Sequence, residues 1–148
     1  MSARVLYLVI CAAGSASRID VMVKLAQAEG WSVYCLATPA AVEHVLDVPT
    51  LTELTGHPRR TTYRTSDAEA LPRVDAIIVA PATYNTINKW AAGIADSYVL
   101  NQLAELTGRG AHIVVLPFVN QRAGGQPGIR PQRRRVTPGG RARPVRAR

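Results

Sequence analysis

Residues 4–13 read RVLYLVICAA, an apolar run with none of the alternation of a half-exposed strand. A strand of that kind is covered on both faces, as in a parallel sheet with helices above and below it. This run therefore restricts the chain to a layered α/β fold more than any other feature. It is too short for the ~18 apolar residues of a membrane span. Only Arg4 supplies a positive flank, and the run feeds a helix rather than a cleavage site, so it reads as the first strand of a cytosolic protein and not as a signal peptide. At 148 residues the chain is long enough for one well-buried core.

The rest of the body alternates strand and helix. Gly14 and Ser15 turn the chain into a first helix, with Ile19, Val23 and Ala26 on one face and Gly30 past its end. WSVYCLAT is a second strand, and PAAVEHVL a short helix with Pro39 at its start. VPTLTELTG is a helix stopped by Gly56, and RRTTYR a short strand or extended arm. DAIIVA is a buried strand that breaks at Pro81. A helix is expected from Asn85 to about Leu106, interrupted near Asp96–Ser97, with Ile87, Trp90, Ala91 and Ile94 on one face. AHIVVLPFV is the last clear strand. This order predicts parallel pairing in a doubly wound α/β sheet. Cys11 and Cys35 fall inside predicted strands and read as reduced core residues. His44, His57 and His112 are scattered surface or loop positions, and no Cys/His spacing suggests a metal site.

The net charge of +8 belongs to one segment. Residues 1–120 hold nine Lys and Arg against ten Asp and Glu, while residues 121–148 hold nine Arg and no acid. That tail is built mainly of Arg, Gly, Pro and Ala, with Ile129, Val136 and Val145 its only large apolar residues, and is expected to be disordered. The expected division is a domain over 1–120 and a disordered tail over 121–148. Three readings of the tail stay open: a nucleic-acid-binding arm, a solubilising or localising extension, and the frameshifted product of a GC-rich gene. Under the last, the sheet lacks its closing helix and strand, and sequencing the DNA past codon 120 decides between them.

Ligands of such sheets bind beyond the carboxyl ends of the strands. Four of those ends are legible: AAGSAS, ATPA, APATYNT and LPFVN. Gly14 permits close backbone approach, Ser15 or Ser17 can cap the first helix, and Thr38 offers a hydroxyl. Thr83, Tyr84, Asn85 and Thr86 crowd one strand–helix junction, and Phe118 stands at the last end. A cap explains any one of them, but not four polar ends together. The dinucleotide G-x-G-x-x-G and the Walker lysine loop are both missing. A mononucleotide with one phosphate, such as flavin mononucleotide (FMN), fits better.

The stretch PATYNTINKWAAGIAD resembles the signature of the homo-oligomeric flavin-containing cysteine decarboxylases, a family that includes phosphopantothenoylcysteine and lantibiotic-peptide decarboxylases. Its pattern P-A-S/T-x-N-T stands here as Pro81, Ala82, Thr83, Tyr84, Asn85 and Thr86, followed by Asn88, Lys89, Ala91, Gly93, Ile94 and Asp96. The resemblance covers about residues 3–120. It implies a flavodoxin-like three-layer fold, FMN held by Gly14, Ser15, Ser17, Thr38, Thr83 to Thr86 and Phe118, and a homo-oligomer built on trimers. It further implies oxidation of a cysteine thiol to a thioaldehyde and loss of carbon dioxide to give an enethiol, with a peptide ending in cysteine or phosphopantothenoylcysteine as substrate. The family His about fourteen residues before the motif's Pro corresponds to Asp67. The Asn of its P-x-M-N segment corresponds to Asn120, with Val119 in place of Met. Asp67 and Asn120 are thus the catalytic candidates. Asp67 can serve as a base only if burial raises its pKa, and it lacks the donor–acceptor pair of an imidazole. The Met-Trp substrate clamp of the family is absent. A flavoprotein with a diverged reaction, a true cysteine decarboxylase and a non-catalytic binder of nucleic acid all remain open.

Overall fold

The computed structural model describes residues 2–62 and 70–119. Four parallel strands form one sheet: β1 (Arg4–Ile10), β2 (Trp31–Ala37), β3 (Ala76–Ala82) and β4 (Ile113–Pro117), in the spatial order β2-β1-β3-β4. Among the described residues five α-helices accompany them: α1 (Ile19–Ala28), α2 (Pro39–His44), α3 (Val48–Thr55), α4 (Tyr84–Ala91) and α5 (Tyr98–Gly108). A 3-10 turn over Gly14–Arg18 joins β1 to α1. The doubly wound parallel sheet is the one expected. Its order is that of flavodoxin-like folds, which reverse between β1 and β3.

β1 is central, and its apolar run serves two cores. Leu6, Leu8 and Ile10 pack with Ile19 and Val23 of α1 and Leu51 of α3. Tyr7 and Val9 face the opposite layer, with Ile77 and Val79 of β3 and Val99, Leu103 and Leu106 of α5. The period of two along a strand divides the run in this way. β4 is an edge among the described residues, and Val114 and Leu116 on one of its faces are exposed.

The structure refines the expectations at three places. β3 does not break at Pro81 but continues to Ala82, because the β3–β4 register shifts between Val79 and Ala82 and so accommodates a residue without an N–H. The Ala80–Pro81 peptide is cis. The interruption expected near Asp96–Ser97 is present and makes two helices, but it begins earlier, after Ala91. Gly93, at φ 73°, ends α4: its N–H donates to the Trp90 carbonyl at 3.1 Å, and that of Ile94 to the Lys89 carbonyl at 2.8 Å. Ile94 thereby leaves the apolar face and is exposed. Ser97 then caps α5 through the Leu100 N–H. RRTTYR, read as a short strand or extended arm, has Tyr63 and Arg64 outside the described residues; within the described part Arg60 makes a parallel bridge to Leu36, donating to the Cys35 carbonyl and accepting from the Ala37 N–H, both at 2.9 Å.

Two buried groups make the fold sensitive to alkali. Burial pushes the Cys35 thiol up to about 12. Burial, reinforced by Tyr98 and Tyr34 and opposed by Arg60, pushes the Tyr7 phenol up to about 12. In the unfolded chain these groups ionise near 9 and 10. Between those values and 12 the unfolded state binds fewer protons than the folded one, so their contribution is full below pH 9 and is lost as pH rises. The urea midpoint is expected to fall between pH 8 and pH 11. A constant midpoint over that interval contradicts the assignment.

Candidate functional site

The carboxyl ends of the four strands lie side by side. The Cys11 N–H donates to the Pro81 carbonyl at 3.1 Å, the Thr38 N–H to the Ile10 carbonyl at 3.0 Å, and the Phe118 N–H to the Ala82 carbonyl at 2.9 Å. The segments after β1, β2, β3 and β4 are thus tied laterally, with the reversal of strand order between Gly14–Arg18 and the start of α4. Gly14, Ser15, Ser17, Thr38, Thr83, Tyr84, Asn85, Thr86 and Phe118 all fall on this end of the sheet.

Their hydrogen bonds sort them. Thr38 caps α2, accepting from the Ala41 N–H at 3.2 Å. Thr83 caps α4, accepting from the Thr86 N–H at 3.4 Å and donating to the Thr86 hydroxyl at 3.1 Å. These are the roles ordinary helix capping assigns. Neither Ser15 nor Ser17 caps α1. The residues preceding the 3-10 turn and α1 are Ala13 and Arg18, without side-chain caps, and the Ser17 hydroxyl instead donates to the Gly14 carbonyl at 2.9 Å. Among the described residues, the Ser15 hydroxyl, the Tyr84 phenol and the Asn85 amide make no hydrogen bond within the chain, and all three residues are exposed. The first N–H groups of α4 have no intrahelical acceptor.

Gly14 is equally unaccounted for by the fold. Its φ is not positive, and a Cβ built on it meets nothing within 4 Å. Neither backbone conformation nor packing requires glycine there. A glycine there leaves the backbone open to close approach.

Two hollows lie elsewhere. One, of about 600 Å³, is at the amino ends of β3 and β4, among Asp75, His112, Glu105 and Arg109. The other, of about 330 Å³, is apolar and lies between α1 and Ile78 and Val114. The carboxyl end is an open shelf by comparison. Among the described residues it carries the unbonded Ser15 hydroxyl, Tyr84 phenol and Asn85 amide, while in the first hollow Asp75 accepts from the Val5 N–H and Arg109 pairs with Glu105.

Asp67 and Asn120 lie outside the described residues. No histidine of the described residues stands at the shelf. His44 ends α2, His112 precedes β4 at the opposite end of the sheet, and both are exposed. His57, expected as a surface or loop residue, is half-buried after α3. Its ring stacks on Tyr34 at 3.9 Å, with Nε2 3.2 Å from the Ser32 hydroxyl near the start of β2. Reading the sequence missed that stack, because the pairing partner sits twenty-three residues upstream with no local signal. It also missed the lateral tie from Cys11 to Pro81, which only the strand order creates.

Comparison with solved structures agrees with this topology. The FMN-dependent cysteine decarboxylase TvaF from thioviridamide biosynthesis superposes with a TM-score of 0.72 at 22% identity, covering 86% of this chain and 80% of its own. A PPC decarboxylase variant complexed with pantothenoylaminoethenethiol gives 0.71 at 18%, covering 85% and 72%. The epidermin biosynthesis protein EpiD from Staphylococcus aureus gives 0.67 at 21%, covering 85% and 73%. These likenesses establish the flavodoxin-like fold. Among curated proteins, the dihydromethanopterin reductase (acceptor) of Methanosarcina mazei is 46% identical over 48 residues, which are 32% of this chain and only 20% of that protein. The family model described as Flavoprotein matches residues 2–126, and the chain belongs to that family.

Proposed function

We propose that the shelf binds FMN, with its phosphate at the first turn of α4 and the Gly14–Ser17 turn. The observation that carries this is the set of groups with no partner among the described residues, the Ser15 hydroxyl and the Asn85 amide, on two strand ends joined by the Cys11–Pro81 hydrogen bond. A helix N-terminus and its free N–H groups favour an anion. Gly14 leaves space where a Cβ would stand. Thr38 and Thr83 act through the caps that fix the helices, and Tyr84, Thr86 and Phe118 border the same surface. Once bound, the flavin supplies reversible two-electron chemistry. The chain's part is to hold the phosphate and orient the ring.

Visible absorbance tests this. Protein incubated with FMN is expected to carry flavin bands through gel filtration at a constant ratio to protein. Colourless protein overturns the reading. Gly14→Ala separates ligand from fold: it is expected to hold or raise stability by about 0.4–1 kcal/mol, because an unstrained Gly→Ala change narrows the unfolded ensemble. The same variant is expected to bind FMN more weakly, by fluorescence titration. Unchanged affinity contradicts a phosphate at this turn.

A second reading is decarboxylation of a cysteine carboxylate, supported by the fold shared with TvaF, EpiD and PPC decarboxylase. Its catalytic candidates are Asp67, as a base, and Asn120, both outside the described residues. A peptide ending in cysteine would lose carbon dioxide and two hydrogens by mass spectrometry, and an unchanged mass across a panel of such peptides removes this reading. The short match to a reductase favours flavin redox chemistry with another substrate. Assembly as a homo-oligomer and a cytoplasmic location belong to the same proposal. Among the described residues, no helix is long and apolar enough to cross a membrane. Nucleic-acid contact rests on the arginines of residues 121–148 alone.

A further inference from the structure

Two aromatic side chains at the flavin shelf, which the resemblance assigns to the cofactor, have no ring partner among the described residues. Tyr84 opens α4 and is 39% exposed, and Phe118 follows β4 and is 54% exposed. Their strands are neighbours in the sheet, and the Phe118 N–H donates to the Ala82 carbonyl two residues before Tyr84. Neither ring has an aromatic partner, and the Tyr84 phenol bonds to nothing, among the described residues.

The other described aromatic residues are all engaged within the chain. The Tyr7 phenol donates to the Pro72 carbonyl. Tyr34 stacks on His57, Trp31 lies under the Arg4 guanidinium, and the Trp90 indole donates to Thr107. Tyr98 packs against the second core and has an interaction of its own. The two idle rings both stand at the carboxyl ends of adjacent strands, where the ligand is read to sit.

We propose that Tyr84 and Phe118 are specificity-determining contacts that hold a flat, conjugated ring substrate at the flavin shelf. This rests on the flavoprotein reading. An exposed aromatic face gains most from another π-face in an offset stack. A phenol beside it can donate to a ring carbonyl or accept from a ring N–H. A small aliphatic thiol or carboxylate draws little from such a face.

The test uses protein loaded with FMN to equal, measured occupancy, with menadione as the flat probe and cyclohexane-1,4-dione as a diketone without a π-face. Binding is read by calorimetry and by the difference spectrum of the flavin. Menadione is expected to bind and the dione not to. Tyr84→Leu and Phe118→Leu are each expected to weaken menadione binding about tenfold, the loss of one stacked ring. Tyr84→Phe keeps the stack, and is expected to weaken binding about threefold through the lost phenol contact. Four results overturn the proposal: wild-type protein that ignores menadione, Leu variants that bind it normally, Leu variants that cannot be loaded with FMN, or Leu variants that break up an oligomer in gel filtration. The third assigns the rings to the cofactor and the fourth to a subunit contact. Wild-type protein that takes up no FMN fails at the first spectrum, and so marks failure of the underlying flavoprotein reading.

Discussion

Asn85→Asp is expected to abolish retention of FMN while leaving the fold as stable as before or slightly more so. Asn85 lies in the first turn of α4, exposed, with its amide unbonded among the described residues. A carboxylate there is favoured by the helix dipole by about 0.3–1 kcal/mol. The same carboxylate faces the phosphate proposed for that turn. Two like charges about 4 Å apart repel by about 1 kcal/mol in water and by about 4 kcal/mol near a protein surface, and a phosphate carries more than one charge. The lost amide donor adds to the defect. FMN affinity is therefore expected to fall on the order of 100-fold, as read by fluorescence titration. Added salt should recover part of the loss, because a repulsion at an open shelf is screened. Asn85→Ala removes the donor without the charge, and is expected to cost about tenfold, a hydrogen bond to a charged group. If Asn85→Asp binds FMN as the wild type does, the phosphate is elsewhere. Opposite signs for stability and affinity distinguish a ligand contact from damage to α4.

The second large effect is on the fold itself. Leu8→Ala is expected to cost about 2–5 kcal/mol, because Leu8 is 0% exposed on the central strand and its removal leaves a cavity that the sheet cannot close. A domain has only about 5–15 kcal/mol of stability in all. A fall in Tm of ~10 °C or more follows from the usual relation between free energy and melting temperature for a domain of this size. Leu25→Ala is the control, since Leu25 is 65% exposed on α1 and its loss is expected to change stability by no more than about 0.5 kcal/mol. Comparable losses at both positions would mean that the exposed face of α1 is covered in solution.

The legible parts of this chain were those with a local physical cause. RVLYLVICAA could only be a strand buried on both sides, and the alternation of strand and helix set the layers. Thr38, Asp47, Thr83 and Ser97 each cap a helix, as short polar residues before an apolar period should. The strand ends that carry the shelf were legible for the same reason. The interruption near Asp96–Ser97 was legible, but its start was missed because Gly93 sits inside a continuing apolar period, and only the left-handed turn there shows that α4 has ended. The course of β3 through Pro81 was missed because proline ordinarily ends a ladder, and the register shift beside β4 is a property of two strands together. Capping by Ser15 or Ser17 failed because a 3-10 turn, not an α-helix, follows β1. What separates a cap from a free ligand donor is a count of partners, which no single segment reveals.

The hydrogen bond from Cys11 to Pro81 has a mechanical consequence. It fastens the chain leaving β1 to the last residues of β3 where the winding reverses, so the two strand ends cannot splay independently. A hinge there would have to break that bond first. The Cys11 amide should therefore exchange its hydrogen as slowly as the deepest amides of β1, with or without a molecule on the shelf.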